Sequence, residues 1–187
     1  MVERIFHPRE ELEIFSHLIY PESRLNLEVR HRILTVLIAG GYILLLCRGK
    51  TVTDEVRKYL FQVAKKIPIA HLHNTKALSK YSLDIEVSNN QISIIDRFEE
   101  ASIGDVDLII QARKHSTKAA GIIVLAGLDP LTSIEDIFED LRFAELAVSG
   151  FFLFLIEDFM LAGIDTPVIK EPEKTFQYFL TRFDLEE

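Results

Sequence analysis

The sequence predicts an α/β (or α+β) fold with a mixed central sheet, flanking helices and a helical, acidic layer at the carboxyl end. Two observations predict it. Short apolar runs typical of buried strands alternate with amphipathic segments over residues 1–127, whereas helical patterns dominate residues 128–187. Hydrophobic residues fill 48% of the 187 positions, enough for a sizeable core. We therefore expect a single domain, 1–187, with a possible subdivision into an α/β part, 1–127, and a helical part, 128–187.

Apolar residues at helical spacing predict six amphipathic helices. They lie over residues 9–20, 26–39, 51–67, 105–115, 134–141 and 173–183. Capping-box patterns begin at Thr51 and at Ser133. The helix after Ser133 is expected to turn Ile134, Ile137, Phe138 and Leu141 inward. Two segments have a second possible secondary structure. Residues 33–47 also suit a hairpin, and residues 106–110 also suit a strand.

Runs of β-branched and other apolar residues predict strands over 42–47, 69–73 and 121–126. The sequence Leu83-Asp84-Ile85-Glu86-Val87 alternates apolar and acidic residues, which is typical of a half-exposed strand. Ser88-Asn89-Asn90 then predicts a turn into a return strand, 92–95. The expected hairpin over residues 83–95 would make the sheet a mixed one.

Residues 148–161 are apolar almost throughout and predict a helix that is buried on several sides. Such a helix packs either in the core of its own domain or against another chain. We expect a homo-oligomer, with a dimer as its simplest form. Its candidate interface residues are Phe151, Phe152, Phe154 and Phe159.

Charge and cysteine content narrow the class of protein. The net charge is −8, but residues 1–120 carry 17 basic and 15 acidic side chains, while residues 121–187 carry 4 and 14. An acidic chain is not typical of a DNA-coating protein, although a basic face in the first two thirds suits local nucleic-acid contact. Cys47 is the only cysteine, so the expected location is cytoplasmic. Apolar stretches 33–47 and 146–156 are shorter than the ~20 residues of a membrane helix, so no membrane partner is expected.

Two groups of side chains are candidate metal ligands. His71 and His73 are two residues apart on a predicted strand, so both imidazoles face one side. The second group is acidic and consists of Asp96, Asp105, Asp107 and Asp129; Asp105 and Asp107 begin a predicted helix, and Asp129 follows a predicted strand. Ligands of open α/β sheets bind beyond the carboxyl ends of the strands, where carboxylates would suit Mg²⁺. The simpler interpretation makes Asp105 a helix cap and Asp129 a turn residue before Pro130.

The stretches 104–113 and 122–131 together resemble the second half of a PIN-type nuclease domain. In that family an acidic residue opens a helix, and another follows the next strand, as Asp105 and Asp129 do here. The resemblance implies a metal-dependent phosphodiesterase, with a divalent metal as its cofactor. Residues 2–8 lack the aspartate that closes the family's first strand, so the chain would be a degenerate member.

A second stretch, Arg48-Gly49-Lys50-Thr51-Val52-Thr53, lies between a predicted strand and a predicted helix. It is similar to the strand–loop–helix of Alba-type nucleic-acid-binding proteins. That resemblance implies that Arg48 and Lys50 contact phosphates, with Arg57 and Lys58 on the helix that follows.

Two functions follow from these patterns. The first is a non-enzymatic binding or assembly module, with a local basic face that suits nucleic acid. The alternative is a metal-dependent nuclease of PIN-like type that uses Asp105, Asp107 and Asp129. Only the alternative requires a cofactor. No Walker loop, GxGxxG, GxSxG, CxxC or HExxH pattern is present in the sequence.

Overall fold

A computed structural model describes residues 8–116, 120–162 and 168–187. The described helices are α1 (Pro8–Ile19), α2 (Leu27–Ala39), α3 (Lys50–Lys66), α4 (Lys80–Ser88), α5 (Ile103–Lys114), α6 (Ile134–Glu139), α7 (Leu141–Val148) and α8 (Pro172–Arg182). The described strands are β1 (Gly41–Arg48), β2 (Ala70–Asn74), β3 (Ile92–Asp96), β4 (Gly121–Leu128) and β5 (Phe152–Ile156). The α/β fold class is confirmed. Residues 2–7, where the PIN-type resemblance expects a first strand, lie outside the described residues.

The five strands form one sheet in the order β2-β3-β4-β1-β5, and every described pair is parallel. Leu45 of β1 lies opposite Leu125 of β4 on one side and Phe154 of β5 on the other. Because parallel strands are covered on both faces, their sequences are apolar at successive positions. Successive β1 residues accordingly enter opposite cores, with Leu45 in one and Leu44 in the other.

Helices cover both faces of the sheet and form two separate cores. On the first face, α1, α2, α3 and α8 pack with residues such as Phe15, Ile33 and Val56 fully buried. On the second face, α4, α5, α6 and α7 pack with residues such as Val106 and Leu146 fully buried. None of the helices in the described ranges is long and apolar enough to cross a membrane.

The expected hairpin over residues 83–95 is wrong, because residues 83–87 lie within helix α4 and only 92–96 form a strand. Leu83 and Val87 are four residues apart, so both reach the second core from one side of a helix. Ser79 begins this helix, since its side chain accepts a hydrogen bond from the Ser82 amide at 3.5 Å. The alternation of apolar and acidic residues concealed this four-residue spacing.

The expected helix over residues 148–161 is also wrong, because its centre is the edge strand β5. Phe154 reaches the first core and Leu153 packs against the second, so both sides of the strand are apolar. A short strand that packs on both sides has the same continuous apolar sequence as a buried helix. The last third of the chain therefore contributes a sheet strand as well as helices.

Other local predictions have mixed outcomes. Residues 27–39 are helical and lead into β1, and 103–114 are helical, which settles both open alternatives. The capping box at Ser133 is confirmed, whereas the one at Thr51 is wrong because α3 begins at Lys50 without a side-chain cap. Of the four residues expected to face inward after Ser133, Ile137 is buried as predicted. Ile134, Phe138 and Leu141 are exposed, so the prediction is wrong for these three.

Gly121 lies where β4 passes close to α2. A Cβ at this position would lie 3.0 Å from Val36 Cγ1 and 3.1 Å from the Val36 carbonyl oxygen, which is backbone and cannot turn away. We expect Gly121→Ala to lower the free energy of unfolding by about 1–3 kcal/mol through overpacking. Gly104→Ala is the matched control, because its Cβ makes only an ordinary contact with Ser102 and alanine favours the helix. Urea denaturation of both variants checks this, and equal midpoints would contradict it.

Candidate functional site

The carboxyl end of the sheet is where a ligand would bind in a fold of this topology. Helix α3, which follows β1, packs in the first core, whereas α6 and α7, which follow β4, pack in the second. The adjacent strands β1 and β4 therefore continue to opposite faces, which places the topological switch point between them. The side chains near this point define the candidate site.

The connection from β1 to α3 is a single residue, Gly49. Its φ of 101° suits glycine, and its amide donates to the Leu128 carbonyl at 2.9 Å, which ties it to the end of β4. Thr53 Oγ1 donates to the Gly49 carbonyl at 2.7 Å from the first turn of the helix. Phosphate-binding loops of the strand–GxxxxGK[ST]–helix type need several residues to surround the phosphates. One residue leaves no such loop.

Arg48 connects the ends of β1 and β5. Its Nη1 donates to Glu157 Oε1 at 2.5 Å, and both side chains are largely shielded from solvent. Its Nε is buried without a hydrogen-bond partner among the described residues. The guanidinium is thus held within the protein on the side that faces β5.

Arg57 makes the largest ionic group at the site. Its Nε donates to both Asp96 carboxylate oxygens at 2.8 and 3.1 Å, and its Nη1 donates to Asp54 at 3.3 Å. Its Nη2 lies 3.8 Å from Glu99, whose other carboxylate oxygen accepts from the Gly127 amide at 3.2 Å. Burial alone would lower the pKa of Arg57, but the bond to Asp96 and the three carboxylate charges raise it. These contacts join α3 to the carboxyl ends of β3 and β4.

The four predicted nucleic-acid contacts therefore differ in availability. Arg48 and Arg57 are held in ion pairs at the carboxyl end, and Lys58 lies 3.3 Å from Glu55 on the same helix. Lys50 is exposed and has no ion-pair partner among the described residues. The fold brings Arg48, Lys50 and Arg57 to one end of the sheet. The charges of Arg48 and Arg57 are already paired with carboxylates there.

The predicted carboxylate ligands have other local partners. Asp105 forms a capping box with Ser102 at the start of α5, and Asp129 accepts from the Leu131 amide at 2.8 Å in the turn after β4. Asp107 is exposed on α5. No group of three or more acidic, histidine or cysteine side chains that could hold a metal ion occurs in the described ranges. His71 and His73 therefore belong to no such group in the part of the chain that the structure describes.

His73 on the edge strand β2 has a partner that the sequence did not indicate. Glu86 of α4 lies 2.7 Å from His73 Nε2 and also accepts from Ser93 Oγ at 2.6 Å. The hairpin prediction makes residues 83–87 a half-exposed strand with Glu86 among its acidic positions, whereas Glu86 is buried. His71 Nε2 is buried without a hydrogen-bond partner among the described residues. This cluster ties β2 and β3 to α4.

The four candidate interface residues divide into two pairs. Phe151 and Phe154 are buried in the two cores of the domain, whereas Phe152 and Phe159 are 50% and 74% exposed. The Arg32 guanidinium lies over the Phe152 and Phe154 rings at 5.1 and 5.7 Å from their centroids. Only the exposed pair is available to a second chain.

Arg142 fixes the start of α7 beside the site. Its Nη1 donates to the carbonyls of Glu99 and Ala101 at 2.7 and 3.1 Å, while its other nitrogens donate to Asp140. These side-chain hydrogen bonds hold the pKa of Asp140 below its ordinary value. A carboxylate with a lowered pKa stabilises the fold above the unfolded pKa of about 3.9, and this stabilisation is lost as the pH falls through the folded pKa.

Asp140→Asn is therefore expected to make the free energy of unfolding depend less on pH in the acidic range. The asparagine still caps α7, but it removes the charge that pairs with Arg142. We expect a loss of about 1 kcal/mol at neutral pH that shrinks as the pH falls below about 3.9. Urea midpoints measured from pH 7 to pH 2 check this, with Asp107→Asn as the exposed control. An equal loss of stability at pH 7 and at pH 2 would contradict a stabilising ion pair between Asp140 and Arg142.

Comparisons with known proteins give no relative that identifies the chain. No family model matches it, and no curated protein matches it significantly. Among solved structures, a chain of Drosophila ORC bound to DNA is 14% identical with a TM-score of 0.42, over 83% of this chain and 94% of that chain. A chain of Drosophila ORC bound to GC-rich DNA and Cdc6 is 14% identical with a TM-score of 0.43, over 83% and 61%. Likenesses this distant carry no argument about function.

Proposed function

We propose that this chain is a non-enzymatic binding module whose parallel sheet serves as a rigid scaffold for assembly with another macromolecule. The observation that carries the proposal is the occupied carboxyl end of the sheet. The ion pairs of Arg48, on the β5 side, and of Arg57, at the ends of β3 and β4, lie on either side of the switch point where a fold of this topology would bind a ligand. The single-residue β1–α3 connection gives no room for phosphates.

The chemistry at this end supports the same proposal. Cys47 is fully buried, and burial raises the pKa of its thiol, so the reactive thiolate is disfavoured. The nuclease alternative needs carboxylates that converge on a metal ion, whereas Asp105 and Asp129 are held by separate local hydrogen bonds. Nucleic-acid contact through Arg48 and Arg57 would first have to break their ion pairs.

The test measures nucleic-acid binding and cleavage with the full chain. Fluorescently labelled single-stranded and duplex oligonucleotides are titrated at about 50 mM salt, where phosphate contacts are strongest. Cleavage is followed with Mg²⁺ and with Mn²⁺. We expect no cleavage and no binding tighter than about 10⁻⁴ M, the weak end of non-specific association. Cleavage that Asp105→Asn or Asp129→Asn abolishes would overturn the proposal, as would tight binding that Lys50→Ala or Arg48→Ala weakens.

A further inference from the structure

Four large apolar side chains form an exposed strip along α6 and its flanks. The α6 strip consists of Leu131, Ile134, Phe138 and Leu141, which are 91%, 54%, 70% and 58% exposed. Ile134 and Phe138 are four residues apart and share one side of the helix. Ile137, on the neighbouring side of the helix, already packs in the second core, so the strip is not needed to complete that core. Four such residues within eleven positions differ from the scattered apolar residues of an ordinary surface.

Acidic side chains border the α6 strip. Glu135, Asp136 and Glu139 are exposed, and none of them has an ion pair among the described residues. Asp136 also takes part in the capping box with Ser133. An apolar strip with an acidic border favours binding to an apolar groove whose border is basic. It repels nucleic acid and anionic lipid.

This chain carries a groove of that kind at the β2 edge of its sheet. The α3–β2 groove has a volume of about 500 Å³, and its apolar lining includes Phe61, Ala64 and Leu72. Phe61 and Leu72 are 53% and 41% exposed. Lys65 lines the groove and has no ion-pair partner in the part of the chain that the structure describes. Lys58, one turn before Phe61 on α3, keeps its side chain 58% exposed.

The remaining polar groups of the groove do not repel the acidic border of the α6 strip. The carboxylate in its lining, Glu86, is buried and already bonded to His73 and Ser93. The groove thus presents an apolar surface with the unpaired Lys65 at its α3 side, and Lys58 lies nearby on α3 in an ion pair with Glu55. It matches the α6 strip in polarity and is complementary to it in charge.

We propose that the α6 strip of one chain docks in the α3–β2 groove of a second copy of the same chain. Phe138 enters the groove beside Phe61, and Glu135 and Glu139 face Lys58 and Lys65. Because the two surfaces are different patches of one chain, the contact is heterologous and permits growth beyond two copies. The inference rests on the proposed binding function and names its partner.

Sedimentation velocity of the full chain over a range of concentrations tests the docking. Phe138→Asp disables the strip and Phe61→Asp disables the groove, and both side chains are exposed, so each variant is expected to fold. We expect the wild type to associate with rising concentration and each variant alone to associate at least tenfold more weakly. An equimolar mixture of the two variants retains one intact strip and one intact groove, and it should form a complex that stops at two chains. Tyr81→Asp, at another exposed aromatic residue, should associate like the wild type.

Charge reversal provides a second test that leaves the apolar residues in place. The double variant Glu135→Lys/Glu139→Lys should lose association, and mixing it with Lys58→Glu/Lys65→Glu should restore it. A wild type that stays monomeric at every concentration would overturn the docking, as would variant mixtures that fail to associate. Neither result would bear on the occupied carboxyl end, which the oligonucleotide and cleavage assays test separately.

Discussion

Replacing Arg57 with alanine is expected to lower the free energy of unfolding by about 2–3 kcal/mol. The change removes two hydrogen bonds to Asp96, whose side chain is only 13% exposed, and leaves that carboxylate poorly solvated. Hydrogen bonds to charged groups contribute about 1.5–3 kcal/mol, and the loss is greatest where the partner remains buried. The neighbouring Asp54 and Glu99 then repel Asp96 without a cation between them.

Urea denaturation measures this loss, and Lys174→Ala is the control. Lys174 and Glu171 form an ion pair that is exposed on both sides, so this replacement should cost less than about 1 kcal/mol. A double-mutant cycle with Asp96→Asn isolates the pair, and we expect Arg57→Ala to cost much less once Asp96 is neutral. If Arg57→Ala costs the same with and without the Asp96 charge, the ion pair does not stabilise the site.

Replacing Phe15 with alanine is expected to cost about 3–5 kcal/mol, the usual range for truncating a fully buried phenylalanine. The Phe15 ring on α1 has no solvent exposure and lies 5.5–5.7 Å from the ring centroids of Phe176, Phe179 and Phe183 in and after α8. The variant leaves a cavity between the amino-terminal and carboxyl-terminal helices. Both helices should therefore lose stability together.

Thermal and urea unfolding of Phe15→Ala check the size of the loss, and Tyr81→Ala provides the control. Tyr81 is 76% exposed, so truncating it should change stability by no more than about 0.5 kcal/mol. Hydrogen exchange adds a local readout, since the amides of α8 should lose protection along with those of α1. If α8 amides kept their wild-type protection, the packing of these two helices would not be cooperative.

The sequence predicts the central strands well, because their surroundings leave a clear local pattern. Residues 42–47 and 121–126 are continuous apolar runs next to glycines, and both are buried parallel strands. The same reasoning fails for 148–161, because β5 is equally apolar and periodicity cannot distinguish a short buried strand from a helix. It fails again for 83–87, where tertiary packing selects the four-residue spacing over the two-residue one.

The candidate site is less predictable, because its interactions join distant parts of the chain. Arg48 pairs with Glu157, 109 positions away, and Arg57 with Asp96, 39 positions away. No local sequence motif predicts an ion pair between residues so far apart in the chain. The sequence correctly indicates that Arg48, Lys50 and Arg57 lie near the start of one helix, but only the strand order shows which carboxylates surround them. The acidic partners convert an apparent basic face into a largely neutralised one.

One amide NMR experiment on the full chain tests the central claim most directly. The amides of Gly49, Gly127 and Leu128 report on the carboxyl end of the sheet, and those of Phe61 and Phe138 report on the two docking surfaces. We expect a Mg²⁺–nucleotide titration to leave the chemical shifts of the first group unchanged, and a rising protein concentration to change those of the second. Saturable shifts of Gly49 and Gly127 with nucleotide would contradict it, because the switch point would then be a working ligand site.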